Sequence, residues 1–182
     1  MRDLTPRVAR VGVPATVRLF VALWPGARVR RALAACRDRQ RWAEGAAPTP
    51  TDKLHLTLHF IGDVPTARVA EVAAGIGVPL RGFDLQLDIA EHWRNGLAVL
   101  RPKAVPADLV QLHADLAAAL RRLALPVENR AFRPHVTLAR RVAAARPAPA
   151  LDVVPWHVGG YALVRSTSDG RYELLRRYRS RQ

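Results

Sequence analysis

Residues 54–60 read LHLTLHF, a strict alternation that sets Leu54, Leu56, Leu58 and Phe60 on one side of the chain and His55, Thr57 and His59 on the other. Successive side chains of an extended backbone point to opposite faces, so this stretch is a strand with one dry face and one wet one. The pattern returns at 135–139 (HVTLA), again with a histidine and a threonine two residues apart on one face. What precedes the two copies is also alike. Residues 17–24 (VRLFVALW) form a compact apolar strand closed by Pro25-Gly26, and 26–39 carry Val29, Leu33 and Cys36 at helical spacing. A loop holding Pro48 and Pro50 leads to the first copy. In the second half, a short strand over 97–100 is followed by a helix over 106–123 with the stripe Leu109, Leu112, Leu116, Leu120 and Leu123, then a loop through Pro126 and Asn129. Val17 lies 38 residues before His55, and Leu97 lies 38 before His135. Each half alone is small for a stable core, so the repeat predicts duplicated lobes of one α/β (α+β) domain.

The remaining segments fit the same domain. Residues 65–76 read as a short alanine-rich helix. Residues 83–89 alternate Phe83, Leu85, Leu87 and Ile89 against Asp84, Gln86 and Asp88, a half-buried strand. Further strands are expected over 153–165, with Gly159-Gly160 as a bend or bulge, and over 172–175. Residues 1–16, with Pro6 and Pro14, read as a loose basic leader. The domain proper is expected over 17–178, with 179–182 as a basic tail.

Charge narrows the partners. Among the 182 residues, 29 Lys+Arg against 15 Asp+Glu give a net charge of +14, and only Lys53 and Lys103 are lysines. Such a surface attracts polyanions, RNA included, although a coding bias toward arginine accounts for the same excess. No run of 18 apolar residues occurs, so no spanning helix and no membrane partner are expected. The lone Cys36 excludes an internal disulfide and a cysteine-rich zinc site, and cytoplasm is the simplest compartment.

The paired motifs carry the chemistry. Side chains at i and i+2 of a strand lie about 6.5–7 Å apart on one face, so each histidine sits beside a threonine hydroxyl. Two such strands facing one groove present two imidazoles and two hydroxyls to a single small anion. That set suits phosphodiester hydrolysis: a neutral imidazole takes a proton from water, and a protonated one gives a proton to the departing alkoxide. The hydroxyls donate to the phosphoryl oxygens, and no metal or other cofactor is required. His55 and His59 stand about 13 Å apart along a strand, too far to share one zinc ion. His92, His113 and His157 have no partner pattern.

The strings HLTLHFIGDV at 55–64, RPHVTLAR at 133–140 and RLFVALWP at 18–25 resemble the bacterial and archaeal RNA 2′,3′-cyclic phosphodiesterases, the 2′-5′ RNA ligase family of the 2H phosphoesterase superfamily. The resemblance runs from about Val17 to Tyr178. It implies a bilobal fold with two antiparallel sheets around a central cleft, each duplicated lobe giving one His-x-Thr. It also implies opening of an RNA-terminal 2′,3′-cyclic phosphate to a 2′-phosphomonoester, with reversible 2′-5′ joining of tRNA-half-like ends in several members, and a monomer. Carried over by position, His55 and His135 are the catalytic pair, and Thr57, Thr137 and Arg140 bind phosphate. Either histidine can serve as acid and the other as base; His55 is taken here as acid toward O3′.

Strict alternation would turn Arg140 to the core side, so it reaches phosphate only if the strand ends or bulges near Ala139. Arg133 has the parity of the motif. Phe20, Trp93 and Phe132 are candidate stacking surfaces for the terminal nucleoside, and His59 shares the motif face as a candidate groove residue. Two other readings fit the same four groups: a cyclic phosphodiesterase of small nucleotides or sugars, and a nucleotide- or RNA-binding module without turnover.

Overall fold

The computed structural model describes residues 15–142 and 152–180. The leader expected over 1–16 falls outside them except for its last two residues. In chain order the elements are β1 (Thr16–Leu23), α1 (Ala27–Asp38), β2 (Ala47–Pro48), β3 (Leu56–Pro65), α2 (Val69–Gly75), β4 (Phe83–Leu87), β5 (Ile89–Trp93), β6 (Leu97–Arg101), α3 (Ala107–Arg122), β7 (Val136–Arg140), β8 (Val154–Val158), β9 (Gly160–Ser166) and β10 (Tyr172–Arg179).

The described strands pair antiparallel. One half-sheet runs β10-β9-β1-β3; the other runs β7-β6-β5, with β2 also on β7. The halves meet at one residue pair, Leu56 opposite Val136. Beyond that point β2 takes over the edge of β7, pairing Ala47 with Arg140 and Pro48 with Ala139. A separate ribbon pairs β4 with β8. The duplicated strand–helix–strand units expected from the repeat are therefore β1-α1-β3 and β6-α3-β7.

Alternation explains which side is covered. Leu19, Val21, Leu23, Leu56, Leu58, Val136 and Leu138 form the dry face and pack with Leu33 and Cys36 of α1 and Leu109, Leu112, Leu116 and Leu120 of α3. Each fully buried leucine contributes about 1.5–3 kcal/mol. Truncating one such residue, Leu116→Ala, costs about 2–5 kcal/mol. The opposite face carries Phe20, Ala22, Ala162 and Val164, flanked by Trp24, Tyr172 and Leu174.

Two expected strands are each broken in two. The run over 83–89 ends as β4 at Leu87; after Asp88, whose Oδ1 accepts from the Lys103 N–H (2.7 Å), the chain enters the large sheet as β5. The run over 153–165 divides at Gly159 into β8 of the ribbon and β9 of the large sheet. Gly160 permits the crossing, because a Cβ there would stand 2.4 Å from the Tyr178 carbonyl oxygen. Of the basic tail expected over 179–182, Arg179 is the last residue of β10, and 181–182 lie outside the described residues.

Candidate active site

The two histidines are held by the same device. The carbonyl oxygen two residues earlier lies 2.6 Å from Nδ1 in each case, Lys53 for His55 and Arg133 for His135. A carbonyl oxygen only accepts, so Nδ1 carries the proton and Nε2 is left as the basic nitrogen. The Thr57 hydroxyl lies 3.1 Å from His55 Nε2 and donates to it. Extending the antiparallel register by one residue on either side of the Leu56–Val136 pair sets His55 opposite Thr137 and Thr57 opposite His135. Diagonal neighbours in such a pair stand about 7–8 Å apart, which leaves room for a phosphate between the imidazoles. All four side chains line one cleft of about 240 Å³, together with Lys53, Arg140, Tyr172 and the 47–50 segment.

A β-bulge follows each motif at the equivalent leucine. Val21 pairs with His59 and Ala22 with Thr57, so Leu58 is the extra residue in β3. Ala98 pairs with Ala139 and Val99 with Thr137, so Leu138 is the extra residue in β7. The Leu138 carbonyl oxygen finds a donor in the Thr49 N–H (2.8 Å). Each bulge shifts the alternation by one residue. In β7 this brings Arg140 to the cleft side, the condition its parity required. In β3 it corrects two expectations. His59 turns into the interior, 2% exposed, with Nε2 2.9 Å from the His113 carbonyl oxygen, and does not line the groove. Phe60, expected in the core, is 49% exposed.

Burial sets the acidities. Removal from water lowers the His55 pKa to about 4; the Lys53 carbonyl partly offsets this, and Arg140 and His135 add to the depression. His135 is also held below its ordinary value by burial, opposed by the Arg133 carbonyl and reinforced by Arg130, Arg133 and Arg140. Both rings are neutral at neutral pH. An anion bound between them favours the protonated forms and raises both values.

The candidate stacking residues divide. Phe20 is 4% exposed and lies against His55, 5.1 Å between ring centroids, so it backs the imidazole and offers no free face. Trp93 packs against His135 (4.5 Å) and is covered by the Arg133 guanidinium at 4.3 Å. Phe132 stacks on His113 at 3.9 Å. Phe60, Trp93, Phe132, Arg130 and Arg133 line a groove of about 290 Å³ that shares Thr57 and His135 with the cleft. Three residues at the cleft carried no sequence signal: Lys53, Tyr172 and Trp24, whose ring stacks on His55 at 5.5 Å. His113 stands in no regular spacing to the motif, yet its ring stacks on His59 at 4.0 Å and its pKa is lowered to about 4 by burial.

Two half-sheets that each bring one His-x-Thr to a shared cleft define a 2H phosphoesterase. A family model described as the 2′-5′ RNA ligase superfamily matches residues 25–170, and the chain belongs to that superfamily. An RNA 2′,3′-cyclic phosphodiesterase of Thermus thermophilus is 33% identical over 167 residues, 82% of each protein. One from Escherichia coli (strain K12) is 33% identical over 134 residues, 72% of this chain and 76% of the relative. Among solved structures, E. coli LigT complexed with 3′-AMP superposes with a TM-score of 0.84 at 30% identity, over 92% of this chain and all of that one. TT0787 of T. thermophilus gives 0.75 at 28% identity, over 89% and 97%.

Proposed function

We propose that the protein hydrolyses the 2′,3′-cyclic phosphate at an RNA end to a 2′-phosphomonoester by acid–base catalysis between two histidines. The observation that carries this reading is the pair of Nδ1-anchored imidazoles, each with Nε2 unprotonated, at opposite corners of one threonine-lined cleft. Water attacks phosphorus in line with the bond to O3′. His135 Nε2 accepts the proton of that water as the new P–O bond forms. The P–O3′ bond breaks with its electrons on O3′, which takes a proton from His55 Nε2, and the phosphate stays on O2′. A group whose neutral form is favoured by burial is a strong acid once protonated, which supports His55 as the donor. The bound phosphodiester supplies the charge that keeps that proton in place, and the pair titrates as a unit. Thr57, Thr137 and Arg140 donate to the non-bridging oxygens, where charge builds in the transition state.

This reading takes 17–178 as one bilobal catalytic unit, acting as a monomer in the cytoplasm on RNA ends that include tRNA-like fragments. Run in the same direction with a 5′-hydroxyl in place of water, the same groups join ends through a 2′-5′ linkage, with His135 taking the proton of that hydroxyl and O3′ leaving as before. The groove of Phe132, Trp93 and Arg133 takes the terminal nucleoside. The test is to supply an RNA ending in a 2′,3′-cyclic phosphate in the presence of chelator and locate the phosphate in the product. A 2′-phosphate is expected. A 3′-phosphate overturns the assigned leaving group, and dependence on added metal overturns the two-imidazole scheme.

A further inference from the structure

Trp24 separates the cleft from a second groove. One face of its ring meets His55, and the Arg30 guanidinium lies over the ring at 5.5 Å. Beyond it a groove of about 340 Å³ is walled by Trp24, Gly26, Trp156, Arg177 and Arg179. The groove opens at the end of the sheet: Tyr161 and Tyr178 line it from the core side, and Arg177 and Arg179 from the face that carries the motifs. Ala162 of β9 stands opposite Ala22 on one side and Arg177 on the other, and Gly160 stands opposite Arg179. Ala22 and Ala162 belong to the motif-side face, and cross-strand partners point the same way. A register shift between Leu174 and Arg176 puts the two arginines there, while Tyr178 turns back against the core. Ala22 and Ala162 are fully buried beneath Trp24, Tyr172 and Leu174, and the two arginines stand on β10 beyond that cover, about 14 Å from β3 across three strand spacings.

The cations of this groove are free. Among the described residues, Arg177 and Arg179 have no carboxylate within ion-pair distance, whereas Arg165 on the neighbouring strand is paired with Glu173. Arg30 leaves a buried Nε without a hydrogen-bond partner beside them. An aromatic end wall and two unpaired guanidinium groups suit a phosphate chain.

We propose that this groove carries the single RNA strand that runs upstream of the cyclic end, with Arg177 and Arg179 on successive backbone phosphates. The inference rests on the reading of the cleft as an RNA-end phosphodiesterase and adds the part of the substrate a mononucleotide lacks. Recognition through phosphates is indifferent to sequence and sensitive to salt.

The test uses two variants of the full chain. R177A/R179A removes the cations. Gly26→Asp puts a carboxylate in the groove at a residue with φ −69° and ψ 172°, where an added Cβ meets nothing within 4 Å. That position is the uncapped N-cap of α1, where aspartate is favoured, so the fold is retained. On a hexaribonucleotide ending in a 2′,3′-cyclic phosphate, both variants should raise KM, R177A/R179A by about tenfold at low salt, with kcat unchanged. The salt slope of that double variant should fall by about 1.4 for two lost phosphate contacts to a single strand. On a 2′,3′-cyclic mononucleotide both parameters should match the parent. Equal losses on the two substrates, or none on the hexamer, overturn the proposal. Anisotropy with a labelled hexaribonucleotide ending in a 2′-phosphate measures the groove without turnover. If the parent cleaves neither substrate, the functional reading fails, while unchanged binding by R177A/R179A refutes the groove on its own.

Discussion

The two halves of the cleft are built on one plan and finished differently. Each supplies a histidine tied at Nδ1 to the carbonyl two residues back, a threonine, and a bulged leucine. Around His55 the first half then packs Phe20, Trp24 and Tyr172, all within 5.5 Å of the imidazole centroid. Around His135 the second half places Trp93, with Arg133 over it. After the bulge, one half presents Phe60 and the other Arg140. Duplication thus provides two imidazoles tethered alike, while divergent packing encloses one in aromatic rings and brings the Arg140 guanidinium to the other side of the cleft.

The largest test of that comparison removes the imidazoles. His55→Ala and His135→Ala should each lower kcat/KM by about 10³-fold with the thermal transition preserved, and the double variant should fall little further because the two groups act together. Additive losses would show that the halves work independently. Arg140→Ala should cost about 10²-fold in kcat, as for loss of one donor to the developing charge. Phe60→Ala, the counterpart position, should leave kcat near the parent value, and equal losses at the two would erase the asymmetry. A third test is spectroscopic. Trp24→Leu should raise the pKa of His55 alone and Trp93→Leu that of His135 alone, because burial is the chief cause of both depressions; histidine ring proton shifts followed against pH read each separately.

The smallest effect is on stability. His55 and His113, lowered to about 4, and His59 and His135, also lowered, stay neutral in the folded protein, whereas unfolded histidine titrates near 6.5. The unfolded chain therefore binds more protons below that pH. Stability is full above about 6.5 and is lost as pH falls toward 4. The thermal midpoint should drop between pH 7.5 and 5, and His55→Phe should flatten that drop more than His135→Phe. An identical slope in both would contradict the deeper burial of His55.

The motif strands, their parity through Thr57 and Thr137 and the leucine stripe of α3 were legible because each is a local period. The bulges were not. An extra residue at Leu58 or Leu138 depends on what the neighbouring strand pairs with, and nothing in LHLTLHF distinguishes a regular strand from one that slips by a residue. His59 was misplaced for that reason, and Arg140 could be assigned to the cleft only on the condition that the strand departs from regularity. Asp88 likewise marks a change of sheet that leaves the hydrophobic alternation unbroken, whereas the break between β8 and β9 falls where the Gly159-Gly160 pair signalled a bend. Trp24 and Tyr172 reach His55 from the end of β1 and the start of β10, a proximity set by topology and invisible to spacing.

The meeting of the half-sheets at Leu56 and Val136 alone has a mechanical consequence. With so short a seam, the ladder does little to fix how far apart the two imidazoles stand. The side chains of α1 and α3 pack under both leaves from behind. Repacking the back of the molecule would retune the spacing of the two rings without altering either of them.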